Sequence, residues 1–202
     1  LRMEGKCESN IPFSSLSMLQ CVYLNYNKKN CASIFECKQL ENIFIDNYSE
    51  TSSKAFSIFK NAKRIGLIKS KITEFEAIHN LHQLEHIGIG YNYKMESISW
   101  LRNNNSLTSL GFQNCKKIKD WEEIGTLGKI EKIILENCGE IPSLSFLQNI
   151  SSLKELRIIG STSIGDGKIK ELMHLPNLKH IFVPIKKEYD ITLDELTAYN
   201  NN

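Results

Sequence analysis

One pattern of apolar and polar positions recurs along most of this chain. It reads apolar-x-x-apolar-x-x-apolar-x-apolar-x-x-Asn or Cys, and successive copies lie 21 to 25 residues apart. The clearest copies are Leu16, Leu19, Val22, Leu24 and Asn27; Leu81, Leu84, Ile87, Ile89 and Asn92; and Leu127, Ile130, Ile133, Leu135 and Cys138. A fixed period of this length indicates an array of stacked structural repeats.

Each copy predicts one short strand. In a strand, Val22 and Leu24 point to one face while Tyr23 points to the other. A single repeat cannot bury its own apolar residues, so neighbouring repeats stack and their strands form one parallel sheet. One period before Val22 and Leu24 lie Leu1 and Met3, so we expect the chain to begin inside a further strand.

A polar position follows most of the strands. There the backbone leaves the sheet, and its N–H and C=O groups need new hydrogen-bond partners. An Asn amide supplies both a donor and an acceptor, and Cys is a small substitute with a weak donor. We therefore interpret Asn27, Asn92, Cys115 and Cys138 as structural residues, and we expect both cysteines to be reduced.

The segment from Ile133 to Leu147 carries the pattern with a short return, and it resembles the short repeats of the phosphatase-regulator class and of bacterial internalins. The whole pattern is similar to that of the leucine-rich-repeat superfamily. The resemblance implies an α/β leucine-rich-repeat solenoid, a right-handed horseshoe with a parallel concave sheet of about 8–9 strands. Residues 1–185 form this domain. Residues 186–202 form a capping segment and polar tail, in which Ile191, Leu193 and Leu196 cover the last coil before a frayed Asn tail.

Charge and hydropathy exclude two classes of partner. Lys plus Arg number 25 against 23 Asp plus Glu, a net charge of +2, spread along the chain without a dense basic stripe. We therefore expect no nucleic-acid binding. No stretch reaches the roughly 18 to 20 apolar residues of a membrane helix, so we expect no membrane insertion.

The reactive residues do not converge on a site. The six cysteines (Cys7, Cys21, Cys31, Cys37, Cys115, Cys138) show no metal-ligand spacing, and the five histidines (His79, His82, His86, His174, His180) are scattered. The stretch Gly160 to Gly167 lacks the ending of a phosphate loop, so we interpret it as a loop between coils. We interpret Glu122 and Glu123 as adjacent surface charges. We expect no metal, no cofactor and no enzymatic activity. Reduced cysteines favour a cytoplasmic location.

The register also gives the residues of the concave face. The central column is Arg2, Tyr23, Phe44, Gly66, Gly88, Gly111, Ile134, Arg157 and Phe182. Tyr23, Phe44 and Ile68, with Tyr26 nearby, predict an aromatic patch. The glycines predict either a bend in the strands or a shallow trough. Lys132, Glu136 and Arg157, with Glu155, Ile134 and Ile159, predict a mixed-charge patch, and His86 faces the same side and can report pH to a partner.

These features predict a non-enzymatic protein–protein interaction module that binds a protein partner of unknown identity on its concave face. The predicted partner-binding residues are Tyr23, Phe44, Ile68, His86, Lys132, Ile134, Glu136, Arg157 and Phe182. Two alternatives remain open: a glycan or small-ligand recognition domain, and the recognition part of a larger enzyme or receptor whose other domain is absent.

Overall fold

The computed structural model describes residues 1–6, 9–102 and 104–201. Its eleven strands are β1 (Arg2–Lys6), β2 (Cys21–Asn25), β3 (Asn42–Asp46), β4 (Arg64–Ile68), β5 (His86–Gly90), β6 (Ser109–Gln113), β7 (Lys132–Glu136), β8 (Glu140–Ile141), β9 (Glu155–Ile159), β10 (Ser163–Ile164) and β11 (His180–Phe182). Nine of them form one sheet in chain order, with β8 and β10 outside it. All its pairs are parallel, as the sequence predicts.

The register of the sheet is uniform from β2 to β11. Tyr23 pairs with Phe44, Gly66 with Gly88, and every other central residue with its counterpart one coil away. β1 also pairs with β2, so the expected strand at the start of the chain is present. The predicted central column is therefore confirmed from Arg2 to Phe182.

Short helical turns return each coil on the side opposite to the sheet. Two are the α-helices α1 (Lys28–Cys31) and α2 (Glu76–His79). The 3-10 turns are Phe13–Ser15, Ala32–Glu36, Lys54–Ile58, Ser99–Leu101, Trp121–Thr126, Ser145–Asn149 and Lys170–His174. In two later coils this side also carries β8 and β10, so the loop predicted at residues 160–167 contains a short strand. No helix in the described part of the chain is long and apolar enough to cross a membrane.

The core is one continuous stack of apolar side chains between the sheet and these turns. In its first coils the stack is aromatic: neighbouring rings of Tyr26, Phe35, Tyr48, Phe56 and Phe59 have centroids 5.1 to 5.9 Å apart. Tyr26 is 9% exposed in this cluster. Our expectation that it lies near the concave patch is wrong, because the residue follows the end of β2 and turns into the core.

The polar position after the strands is buried and hydrogen-bonded to the backbone in three of the four predicted coils. Asn92 is fully buried, donates to the Ile72 carbonyl at 2.7 Å and accepts from the Lys94 and Met95 N–H groups. Cys115 and Cys138 are buried thiols that donate to backbone carbonyls. Cys7 lies outside the described residues.

The positions after β2 and β9 differ from this arrangement. Asn27 is also structural, as predicted, but it is exposed and caps α1 by accepting from the Lys29 N–H. After β9 the buried residue is Thr162, which donates to the Leu135 carbonyl and accepts from the Cys138 N–H. Gly160 directly follows β9 with φ of 65°, and the next residue, Ser161, is exposed, so the buried position comes one residue later than Cys138 does after β7.

The residue that directly follows each strand has a left-handed backbone in six consecutive coils. These residues are Asn47, Lys69, Tyr91, Asn114 and Asn137, with φ between 52° and 60°, and Gly160. Asn and Gly tolerate this conformation better than other residues do. The turn out of the sheet is therefore one repeated local geometry.

The C-terminal segment forms a helical cap. The helix α3 (Leu193–Asn200) begins with a capping box between Thr192 and Glu195, and Leu196 is buried. Leu193 is 63% exposed, contrary to our expectation. The Asn200 amide accepts from the Ile181 N–H at 2.8 Å and donates to its carbonyl at 2.9 Å, so residue 200 is held against β11 rather than frayed.

Candidate binding surface on the concave face

The solvent-facing side of the nine-stranded sheet, which we call the concave face, presents three columns of side chains. All nine predicted partner-binding residues lie on it. The first positions of the strands are Cys21, Asn42, Arg64, His86, Ser109, Lys132, Glu155 and His180; the central positions run from Arg2 to Phe182; and the last positions are Asn25, Asp46, Ile68, Gly90, Gln113, Glu136 and Ile159.

An aromatic stack occupies the N-terminal end of the central column. The rings of Tyr23 and Phe44 lie 5.1 Å apart and 16° from parallel. The Arg2 guanidinium lies 5.4 Å from the centre of the Tyr23 ring. Tyr23 is 36% exposed. The predicted aromatic patch is thus present as a stack, without Tyr26.

Next to this stack the sheet carries a trough. A Cβ atom placed on Gly66 would lie 2.5 Å from Cδ1 of Phe44, and one on Gly90 would lie 2.6 Å from Cδ1 of Ile68, so these neighbours already cover both glycines. A Cβ on Gly88 would meet nothing within 4 Å. The strands keep their register through this region, which supports the trough over the bend.

Charged side chains dominate the C-terminal end. The Lys132 ammonium lies 3.0 Å from the Glu155 carboxylate, which also pairs with Arg157. The Arg157 guanidinium lies 4.5 Å from the centre of the Phe182 ring. Burial would raise the pKa of Glu155, but the hydrogen bonds from Lys132 and Arg157 outweigh burial and lower it. The predicted mixed-charge patch is therefore internally paired.

His86 lies between the two ends, in the first column. Burial and the charge of Arg64 lower its pKa, and Glu85, whose carboxylate lies 3.9 Å from Nε2, opposes them. A lowered pKa keeps the imidazole neutral near pH 7. His86 is then a hydrogen-bonding group of this face rather than a positive charge.

Asp46 is a residue of this face that our sequence reasoning did not single out. It occupies the last position of β3, beside Phe44. Among the described residues its carboxylate has no hydrogen-bond or ion-pair partner, and burial raises its pKa against the influence of Lys69. The period-two alternation places residue 46 on this face, so the signal was in the sequence.

Three of the other reactive residues have structural surroundings. Burial raises the pKa of the Cys115 thiol to about 12, which leaves it un-ionised. Nδ1 of His79 lies 2.7 Å from the Trp100 carbonyl oxygen. Glu123 is buried and paired with Arg102, so its interpretation as a surface charge is wrong. In the described ranges, no group of three or more His, Cys, Asp or Glu residues is arranged to hold a metal ion.

No protein-family model and no curated protein matches this sequence. Solved structures do match the fold. A leucine-rich-repeat protein of Leptospira interrogans gives a TM-score of 0.72 at 16% identity, over 100% of this chain and 58% of that one. Internalin C2 from Listeria monocytogenes gives a TM-score of 0.55 at 18% identity, over 72% of this chain and 62% of that one.

A third neighbour is the functional domain of InlJ from Listeria monocytogenes, which includes a cysteine ladder. It gives a TM-score of 0.52 at 13% identity and covers 86% of this chain and 41% of that one. The matched regions thus span between 41% and 62% of these three neighbours. The repeat pattern, the register of the sheet and these neighbours together identify the fold of this chain as that of a leucine-rich-repeat protein.

Proposed function

We propose that this chain is a non-enzymatic protein–protein interaction module and that its partner binds across the concave face. The observation that carries this proposal is the continuity of that face. An exposed aromatic stack, a trough with bare backbone and a charged patch lie next to one another along the central column of one rigid sheet.

The chemistry of the three regions suits a protein partner. Exposed aromatic and arginine side chains are the residues that contribute most to binding energy at protein interfaces. Mixed charges at one end favour one orientation of the partner over others. The leucine-rich-repeat fold is commonly a protein-interaction module, and this general tendency supports the proposal without naming a partner.

The test is affinity capture with the chain as bait, followed by identification of captured proteins and measurement of their Kd. The Tyr23→Ala/Phe44→Ala double variant removes the aromatic stack. The matched control is Tyr93→Ala, which removes an aromatic side chain that is 59% exposed outside the three columns. Thermal melts establish that each variant is folded.

We expect a captured protein to bind the parent and the control equally and the double variant about tenfold or more weakly, as for loss of a major contact residue. Equal binding to all three chains contradicts the proposed surface. Capture of no protein by the parent contradicts the proposed function, and binding of purified oligosaccharides with sensitivity to the double variant then supports glycan recognition instead.

A further inference from the structure

Gly88 and Gly111, the two bare glycines of the trough, form a floor that no side chain of the described residues covers. A Cβ on Gly88 would meet nothing within 4 Å, and one on Gly111 would meet only the Gly88 Cα, at 4.0 Å. Neighbouring strands lie about 4.8 Å apart, so two bare strands make a floor about 10 Å wide. Gly66 and Gly90 have the same residue type but are covered from within the chain.

The walls of this floor are apolar. Phe44 and Ile68 stand on one side and Ile134 on the other, and together they enclose a depression of about 260 Å³. Sites for drug-sized ligands usually measure about 300 to 1,000 Å³. The depression lies just below this range and has room for one large side chain of a partner.

One edge of the depression is acidic. Asp46, Gln113 and Glu136 line it, and all three are last positions of their strands. The Glu136 carboxylate accepts from Nε2 of Gln113 at 3.0 Å. Of the basic residues of the face, Arg64 and Lys132 lie in the first column, across the sheet, and Arg2 and Arg157 lie toward the two ends of the central column. The described residues that line the depression thus include two carboxylates and no Lys or Arg, and Lys69 acts on Asp46 from outside this lining.

We propose that the trough receives an aromatic or large aliphatic side chain of the protein partner that is directly flanked by Lys or Arg. The apolar side chain rests on Gly88 and Gly111 between Phe44 and Ile134, and the cation lies at the Asp46 and Glu136 edge. This inference rests on the proposed function, since it specifies the chemistry of the same partner. It narrows the partner to proteins that expose such a pair of residues.

The probes are three acetylated tetrapeptide amides: Gly-Trp-Lys-Gly, Gly-Trp-Glu-Gly and Gly-Ala-Lys-Gly. Each is titrated into the isotope-labelled chain while the backbone amide signals of Gly88 and Gly111 are followed by NMR. The Trp-Lys peptide is expected to shift both signals with a Kd on the order of 1 mM. The Trp-Glu peptide is expected to bind about fivefold more weakly, the upper effect of an exposed ion pair, and the Ala-Lys peptide to shift neither signal.

Gly111→Leu fills the floor and is expected to abolish binding of the Trp-Lys peptide. The matched control is Gly128→Leu, because a Cβ at Gly128 would meet nothing within 4 Å and the residue is exposed before β7.

In Asp46→Asn/Glu136→Gln, the Trp-Lys and Trp-Glu peptides are expected to bind equally. Unchanged shifts of Gly88 and Gly111 with the Trp-Lys peptide overturn the proposal. Equal binding of the Trp-Lys and Trp-Glu peptides to the parent contradicts the part of the proposal that concerns the flanking Lys or Arg.

These outcomes are separable from the fate of the proposed function. If a captured protein depends on Tyr23 and Phe44 while the peptides leave Gly88 and Gly111 unshifted, the inference fails and the proposed function stands. If the peptides bind as described while no protein is captured, the trough takes this chemistry and the proposed function fails.

Discussion

The first coils and the later coils stabilise the same turn by different means. Where the chain leaves β3, Tyr48 packs against Phe56 and Phe35, with ring centroids 5.2 and 5.8 Å apart. Where it leaves β5, Asn92 makes three hydrogen bonds to the backbone. Both residues come three positions after the last apolar residue of their strand. One backbone geometry therefore tolerates either apolar volume or a hydrogen-bonding amide behind it.

The two halves should therefore lose stability through different kinds of substitution. A cluster of large rings loses stability when volume is removed, because a cavity remains. A buried amide loses stability when its partners are left unpaired, because buried polar groups without hydrogen bonds are costly. Three changes test this contrast.

Removing a ring from the aromatic half is expected to have the largest effect. Phe56 is fully buried and contacts the rings of Phe35, Tyr48 and Phe59. Phe56→Ala should lower the free energy of unfolding by about 3–5 kcal/mol, as measured by urea denaturation. Phe146→Ala, the same change at a partly buried ring in a later coil, is the control and should cost clearly less. Equal losses of unfolding free energy would show that a ring of the aromatic cluster contributes no more to stability than a partly buried ring does.

Removing the amide from the later half is expected to have an intermediate effect. Asn92→Ala leaves the Ile72 carbonyl and the Lys94 and Met95 N–H groups without their partner. We expect the free energy of unfolding to fall by about 2–3 kcal/mol. Asn149→Ala, at an exposed position, should change it by less than about 0.5 kcal/mol. A loss at Asn92 as small as that at Asn149 would contradict the hydrogen-bonding role.

The smallest effect is expected from acid. It should reduce the stability that the C-terminal cap contributes, not the contribution of the aromatic cluster or of Asn92. Hydrogen bonds from Lys170 and from Thr192 lower the pKa of Glu195 from 4.5 to about 2. Because the folded pKa lies below the unfolded one, the contribution of this carboxylate to stability is fully present above pH 4.5. It is lost as the pH falls through about 2.

The measurement is the melting temperature as a function of pH. The variant Glu195→Gln should show a flatter dependence than the parent between these two values. The control is Glu188→Gln, at an exposed position outside the capping box, which should follow the parent curve. Parallel curves for the parent and Glu195→Gln would exclude this carboxylate as a source of acid sensitivity.

The sequence alone predicted the sheet, its register and the central column. Two periodicities fix these features: the alternation within a strand, and the spacing of 21 to 25 residues between strands. Ile134 and Phe182 could therefore be placed on the concave face without coordinates. The trough was one of two interpretations of Gly66, Gly88 and Gly111. Only the structure shows that the Phe44 ring covers Gly66 and leaves the other two glycines uncovered.

The structure departs from the repeat pattern where a residue's role depends on its local turn or on a neighbouring coil. Asn27 matches the repeat pattern, but α1 begins directly after it and uses its side chain as a cap. The repeat pattern places the polar residue three positions after Ile158, at Ser161, but Ser161 is exposed and the next residue, Thr162, is buried instead. Glu123 was read as a surface charge because its partner, Arg102, lies in the neighbouring coil, 21 residues away. Sequence spacing does not encode these contacts.

The two hydrogen bonds between Asn200 and Ile181 also bear on self-association. A parallel sheet that ends in a bare strand can accept a strand from another molecule and so polymerise. At Ile181 the outward N–H and C=O groups are already bound by one side-chain amide, which cannot itself be extended. Another strand that paired with β11 would have to displace this amide from Ile181.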